Sequence, residues 1–183
     1  TLFENQLIVN RDGSFIRFMN QQGGSYSNSF QAEASIKPSK VLELRFAYKF
    51  LDVRAEFVEG ITQQVMIPRN RGFFNLGYIS RNKRWEYDLT VTMMGVSRLP
   101  GIGPTDGLYF SKAYILANTQ ITHVLKKWDF YLGIENLTNY RQNDAIIDAA
   151  NPFGSNFDAT QIWGPVMGIN VYAGVRYAIK RKK

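Results

Sequence analysis

Hydrophobic and polar positions alternate with a period of two along most of this chain. From Leu42 to Phe50, Leu42, Leu44, Phe46, Tyr48 and Phe50 share one face, while Glu43, Arg45, Ala47 and Lys49 share the other. Trp85, Tyr87, Leu89, Val91 and Met93 oppose Glu86, Asp88, Thr90 and Thr92. Trp128, Phe130, Leu132 and Ile134 oppose Asp129, Tyr131, Gly133 and Glu135. Ile169, Val171, Ala173, Val175, Tyr177 and Ile179 oppose Asn170, Tyr172, Gly174 and Arg176. Weaker alternation runs through 30–36, 74–78 and 113–121. A helical period would mix these faces, so the pattern predicts strands. Eight are expected, at about 2–9, 24–37, 40–53, 70–80, 84–96, 112–124, 128–138 and 167–179.

Short polar turns at Lys37–Lys40, Ser80–Lys83 and Leu125–Lys127 alternate with long connections at Arg11–Gly23, Arg54–Arg69, Ser97–Ser111 and Tyr140–Val166. In an up-and-down antiparallel sheet, alternate connections lie at the same end. The short turns and the C-terminus should therefore gather at one end, and the long loops at the other. No linker or composition shift divides the chain, so residues 1–183 read as one unit.

Composition narrows the setting. Of 183 residues, 45% are hydrophobic and 20% charged, which excludes disorder of the whole. No run approaches the length of a membrane-spanning helix. The chain has no cysteine, which removes disulfide frameworks, thiol catalysis and Cys-based metal sites. Lys180, Arg181, Lys182 and Lys183 supply four of the seven net positive charges, leaving +3 on the rest. Without a basic stripe or stacking motif, nucleic-acid binding is not expected. The N-terminal Thr1-Leu2-Phe3 is no signal peptide, so the chain reads as starting mid-protein or after processing.

A strand with one dry and one wet face fits a soluble barrel, dry face inward, or an outer-membrane barrel, dry face in lipid. Strand length, aromatics near strand ends (Trp85, Tyr87, Trp128, Phe130, Tyr177) and the contrast of short turns with long loops favour the membrane. Leu42, Leu44, Phe46, Trp128, Leu132, Ile134, Val171 and Val175 should then face lipid. Glu43, Arg45, Asp88, Glu135 and Arg176 should face the lumen, where the carboxylates are expected to form ion pairs with Arg45, Lys49 and Arg176.

Three segments resemble the TonB-dependent outer-membrane receptors. Phe130-Tyr131-Leu132-Gly133-Ile134-Glu135-Asn136-Leu137-Thr138-Asn139-Tyr140 resembles their penultimate strand. Tyr172-Ala173-Gly174-Val175-Arg176-Tyr177-Ala178-Ile179 resembles the C-terminal assembly signal of outer-membrane barrels, carried by Tyr172, Gly174, Tyr177 and Ile179. Ile179 stands where that signal usually has an aromatic, and a basic tail follows. Pro68-Arg69-Asn70-Arg71 resembles a run at the extracellular start of a barrel strand. The resemblance implies an all-β, antiparallel, up-and-down transmembrane barrel, eight of whose strands are present, as the C-terminal part of a 22-stranded receptor barrel with its plug domain upstream. It implies location in the outer membrane of a Gram-negative-type bacterium and contact with outer-membrane lipid. It also implies coupling to TonB through that upstream plug. Uptake would serve a scarce ligand: a ferric siderophore, haem, cobalamin or an oligomeric nutrient. A surface-exposed partner protein fits the same reading. The alternative is a complete small eight-stranded outer-membrane barrel with a structural or adhesive role.

No enzyme, cofactor or metal site is expected. A lipid-modifying barrel enzyme would need a nucleophile beside His123, and Ser35 and Ser39 are the nearest serines by strand end. Asp144, Asp148 and Asp158 fit no calcium-loop spacing, and 144–150 could form a short helical turn. Gly133 and Gly174, on the wet face, leave room for close approach of a plug or a neighbouring side chain, or for relief of crowding between strands. In the longest loop, Arg141, Phe153, Phe157 and Trp163 are the candidate ligand-binding residues; packing of the loop's aromatics onto neighbouring segments is the competing reading.

Overall fold

The computed structural model describes residues 2–3, 7–12, 15–20, 24–57, 60–102, 108–143, 145–155, 157–159 and 161–179, of which 2–20, 57, 101–102 and 108 are described by backbone alone. β-Branched and aromatic residues at every second position favour extended chain, and the described residues form strands without a helix. These are β1 (Leu2–Phe3), β2 (Leu7–Asp12), β3 (Phe15–Asn20), β4 (Ser25–Ser39), β5 (Leu42–Phe57), β6 (Gly60–Gln63), β7 (Asn70–Ile79), β8 (Trp85–Met94), β9 (Arg98–Ile102), β10 (Leu108–Phe110), β11 (Tyr114–Val124), β12 (Trp128–Glu135) and β13 (Asn170–Tyr177). One antiparallel sheet runs in the order β1-β4-β5-β7-β8-β11-β12-β13, with β6 added to β5. β1 and β13 are its two edges and do not pair with each other.

Register sorts side chains into two unlike faces. Ile36, Leu44, Leu76, Leu89, Thr119, Ile134 and Val171 stand in one row across the sheet, and Ala34, Phe46, Phe74, Val91 and Ala117 in the next. On the opposite face, Glu43, Gly77, Asp88, Gln120, Gly133 and Tyr172 form a row, as do Ser35, Arg45, Asn75, Thr90 and Asn118. The residues expected on each side lie there. A one-residue slip would exchange the faces, so the pattern pins the register.

No second layer covers the apolar face. Among the described residues Ala55, Leu99, Ala117 and Pro68 are the buried apolar side chains, whereas Phe46, Leu132, Val171 and Val175 are exposed. Buried positions are instead largely polar: Ser97, Arg98, Thr122, Asn136, Gln142 and Gln161. An apolar face seven long strands wide far exceeds what a soluble monomer leaves bare. It requires a hydrocarbon solvent.

The short turns lie side by side at one end. Ile79 N donates to Val41 O (2.8 Å), Val124 N to Arg84 O (2.7 Å), and Ala178 N to Lys127 O (2.9 Å). The C-terminal end of β13 is therefore among them, and Pro38 and Pro152 lie toward opposite ends of the strands.

The long connections hold more strand than expected. Residues 2–9 do not form one strand: β1 pairs with β4, and β2 forms a hairpin with β3. The pairing ends at Asp12 opposite Phe15, and the sequence between these two begins with glycine, a two-residue hairpin signal that wins over continuation of the first strand. Likewise β5 runs on to Phe57 and folds back as β6, and β9 pairs with β10. Three of the four connections are thus hairpin extensions. The helical turn expected at 144–150 is absent from the described part of that segment; Asp148 has φ 52° and Ile147 pairs with Asp158. Asp144 lies outside the described residues.

Val91 and Thr92 are neighbours in mid-strand on opposite faces. Val91→Arg should lose correctly assembled protein, since a charge on a lipid face costs about 2–4 kcal/mol near mid-depth. Thr92→Arg should assemble like wild type. Heat-modifiable gel mobility of membrane fractions reads both.

Candidate functional site

The polar face is fastened at the terminal hairpin by two tyrosine–glycine pairs. Gly133 opposes Tyr172, and Gly174 opposes Tyr131. A Cβ on Gly133 would overlap the Tyr172 ring, and one on Gly174 the Tyr131 ring. Each tyrosine therefore lies flat across the glycine of the partner strand, and the rings meet at 6.3 Å. Tyr172 continues over Gly133 to donate to Gln120 Oε1 at 3.0 Å, crossing β12 to reach β11. A plug is not needed to explain these glycines; the neighbouring side chains fill the space.

Asn136 ends β12. It takes a φ of 51°, which asparagine tolerates better than most residues. Its Nδ2 donates to Tyr140 O (2.8 Å) and Met167 O (3.0 Å), and its Oδ1 accepts from Tyr140 N (3.1 Å) and the Thr138 hydroxyl (3.1 Å). The backbone N–H of Asn136 donates to Asn118 Oδ1 (2.8 Å). The Asn-Leu-Thr-Asn run is thus the knot that turns the chain from strand into loop and brings Met167 back beside it.

Three long-loop segments are laced together over the polar face. Arg98, buried at the start of β9, donates to the Thr62 hydroxyl and to Gln63 O (3.2 Å) in β6, while Met66 N donates to Arg98 O (2.7 Å). Gln161 Nε2 donates to Pro100 O (2.9 Å), joining the longest loop to β9. Gln142 donates through Nε2 to Gln161 O (2.6 Å) and accepts at Oε1 from Trp163 N (2.8 Å) and Gly164 N (3.0 Å). Tyr114, on the polar face of β11, stacks on Tyr140 at 4.9 Å and lies 5.9 Å from Trp163. Burial raises the Tyr140 phenol above its ordinary pKa. Beneath Trp163 is a small open cavity of about 90 Å³, lined by Met66, Arg71, Met94, Ser111 and Tyr114 among others.

No protein-family model and no curated relative matches the chain. Solved structures do. The FrpB iron transporter from Neisseria meningitidis (F3-3 variant) superposes with a TM-score of 0.63 at 13% identity, over 96% of this chain and 27% of that one. The copper transporter OprC gives 0.68 at 13% identity, over 96% and 27%. The ferripyoverdine receptor of the outer membrane of Pseudomonas aeruginosa gives 0.61 at 10% identity, over 96% and 23%. The chain has the fold of a TonB-dependent receptor barrel. It spans about a quarter of the length of these structures.

Within this receptor-barrel fold the polar face is lumenal and the apolar face lipid-facing. The long loop separates the candidate binding residues. Trp163 is half-buried against Tyr114 and Tyr140, with its amide held by Gln142. Phe153 is 100% exposed at the tip of a turn closed by Gly154 N donating to Asn151 O (2.9 Å), so it touches no neighbour. Phe157 is half-buried where the chain leaves that turn. Arg141 is exposed beside Gly168. The structure thus brings Trp163 to the lumenal mouth and leaves Phe153 apart from it. Of the assembly-signal positions, Tyr172 and Gly174 belong to the lumenal clasp, Tyr177 packs on Trp128 at 4.6 Å on the lipid face, and Ile179 follows the end of β13.

The lumenal polar groups form smaller clusters than one network. Glu43 bridges Lys37 (3.4 Å) and Arg45 (2.9 Å). Asp88 is held by Asn75 (3.1 Å), and Glu135 by Asn170 (3.2 Å), where ion pairs were expected. At the loop end Asp52 pairs with Arg54 (3.1 Å) and Arg69 (3.4 Å). His123 faces lipid, 4.3 Å from Trp85, while Ser35 is lumenal. Ser39 is four strands away from His123 in the sheet, about 19 Å at ordinary strand spacing. Among the described residues no group of side chains could hold a metal.

Sequence reasoning missed Gln142, Gln161 and Arg98. Nothing in their local pattern distinguishes them from solvated loop residues. The Asn-Leu-Thr-Asn turn could have been found from its turn-forming residues.

Gly174→Ala should lower the unfolding midpoint, with overpacking costing about 1–3 kcal/mol. Adding Tyr131→Ala should recover part of that loss, because it removes the obstructing ring. Equal losses in both backgrounds would show the clasp is not the cause. Gln142→Ala removes three hydrogen bonds and leaves buried groups unpaired, costing about 1–3 kcal/mol. Hydrogen exchange at the Trp163 and Gly164 amides should accelerate while the strand amides stay protected.

Proposed function

We propose that this chain is the C-terminal part of the 22-stranded barrel of a TonB-dependent receptor in the outer membrane of a Gram-negative-type bacterium. The receptor takes up a scarce ligand at the cell surface, and energy coupled through TonB to a plug domain elsewhere in the protein admits it. The observation that carries this reading is a single sheet with a predominantly apolar outer face and a polar inner face, its long loops laced over one mouth, superposing on receptor and transporter barrels over nearly the whole chain. The two open edges support a larger barrel: backbone groups on an unpaired edge in lipid are costly, so β1 and β13 each require a further strand. The alternative of a complete eight-stranded barrel would need β1 and β13 to pair. Transport of this kind makes and breaks no covalent bond, so the protein is not an enzyme.

Ferric siderophores and copper are the cargo classes suggested by the structural neighbours; haem, cobalamin and oligomeric nutrients fit the architecture equally. Trp163 shapes the lumenal mouth, and Phe153, with Arg141 and Phe157 on the same loop, meets the ligand or a surface-exposed partner protein from outside.

Cells carrying the intact protein should accumulate one of a panel of radiolabelled ferric siderophore, haem, cobalamin and copper, and an uncoupler should abolish accumulation while sparing surface binding. Uptake unaffected by the uncoupler would remove the TonB-coupled reading. Phe153→Ala should weaken surface binding several-fold with the loop still ordered. Trp163→Ala should loosen the loop itself, visible as faster proteolysis between Tyr140 and Val166. Unchanged binding in both would leave these aromatics only a packing role.

A further inference from the structure

The short-turn end of the sheet carries an unbalanced charge. Lys40, Arg81, Lys83, Arg84, Lys126 and Lys127 lie in its three turns, all exposed, and those turns contain no carboxylate. The nearest acids, Glu43, Glu86 and Asp129, are on the lumenal face of the strands, and Glu43 is already engaged by Lys37 and Arg45. None of the six cations takes part in an ion pair among the described residues. Like charges so concentrated repel one another, and an ordinary solvated rim would intersperse acids.

Geometry gives these cations a common level. The turns are joined in a row by backbone hydrogen bonds from Ile79 to Val41, Val124 to Arg84 and Ala178 to Lys127. The central turn is braced: the Ser80 hydroxyl donates to Asn82 Oδ1 (2.7 Å), which also accepts from Arg84 N (3.1 Å), while Trp85 N donates to Ser80 Oγ (3.0 Å). Immediately inside the row, on the lipid face, stand Trp85 against His123 and Trp128 against Tyr177. Trp and Tyr on the lipid face of a barrel mark the depth of the membrane–water interface. Arg84 and Lys127 are one residue outward of those tryptophans along the chain. Lysine meets a phosphate as a point charge and arginine as a two-pronged donor.

We propose that this basic rim is a binding surface for anionic phospholipid headgroups of the leaflet at the short-turn end. The proposal rests on the membrane-barrel reading above. Each cation near an anionic surface contributes roughly a fivefold gain in affinity, and the gain is screened within about 8 Å at physiological salt.

The intact protein is reconstituted into phosphatidylethanolamine vesicles containing either phosphatidylglycerol or phosphatidylcholine, then re-extracted in neutral detergent, and the retained lipid is counted by native mass spectrometry. Phosphatidylglycerol should be retained preferentially, and high salt should erase the preference. Arg81→Gln/Lys83→Gln/Arg84→Gln should reduce it about a hundredfold, and Lys126→Gln/Lys127→Gln separately by about twenty-five-fold, with heat-modifiable mobility unchanged in both. Equal retention of the two lipids, or a preference unchanged in both variants, overturns the proposal. So does displacement by inorganic phosphate at matched phosphate concentration, which assigns the rim to a free anion. Salt-sensitive capture of polyglutamate without lipid preference assigns it to an acidic protein and also overturns it. Insertion into both vesicles without preference defeats only the headgroup proposal; failure to insert into either defeats the barrel reading with it.

Discussion

An apolar sheet face with no second protein layer against it must be met by something apolar, and the rest of this structure follows from that. A β-sandwich would bury Phe46, Leu132 and Val171 against a facing sheet; here they remain exposed, while Gln142, Gln161 and Arg98 are buried. Hydrocarbon cannot hydrogen-bond a backbone group, so every strand within it needs a partner on each side. That requirement makes the ladder from β4 to β13 continuous through its length, fixes register so that no charge turns outward, and confines irregular backbone to the two ends.

The ends then take different work. At one, turns are short and are braced by local groups such as Ser80 and Asn82. At the other, the chain leaves the hydrocarbon with polar backbone to satisfy and no lipid constraint on its shape. There buried glutamines and an arginine act as fasteners between loops, each contacting segments distant in sequence. Gln142 alone holds three backbone groups of the returning loop. Such fasteners couple the loops at this mouth, so a displacement of one is passed to the others.

The strands were legible because the lipid face tolerates few exceptions: the alternation in Leu42–Phe50 or Trp85–Met93 is a direct imprint of the two solvents. Sidedness could be read from it, and the gathering of short turns from the connection lengths, whereas the open relation of the first and last strands was implied only by the family resemblance. The paired extensions were less legible. Beyond the membrane the outward-facing positions need not be apolar, so β6 and β9 leave no period-two imprint, and the β2–β3 hairpin fell partly within what was read as an undivided long connection. The loop fasteners were not legible at all. A glutamine amide that reaches across nineteen residues to Gln161 looks, in sequence, like any polar loop residue. The tyrosine–glycine clasp stood between these cases. The glycines were visible, but only cross-strand register shows that each is covered by the opposing tyrosine.

The paired form of three of the long connections bears on how such a protein diversifies. A hairpin that continues the strands below it can be lengthened or trimmed by one residue on each arm, and each step keeps the ladder intact and the side-chain alternation in phase. An irregular loop has no such unit of change. Segments of this kind can therefore change length in paired increments while the strands in the bilayer remain untouched.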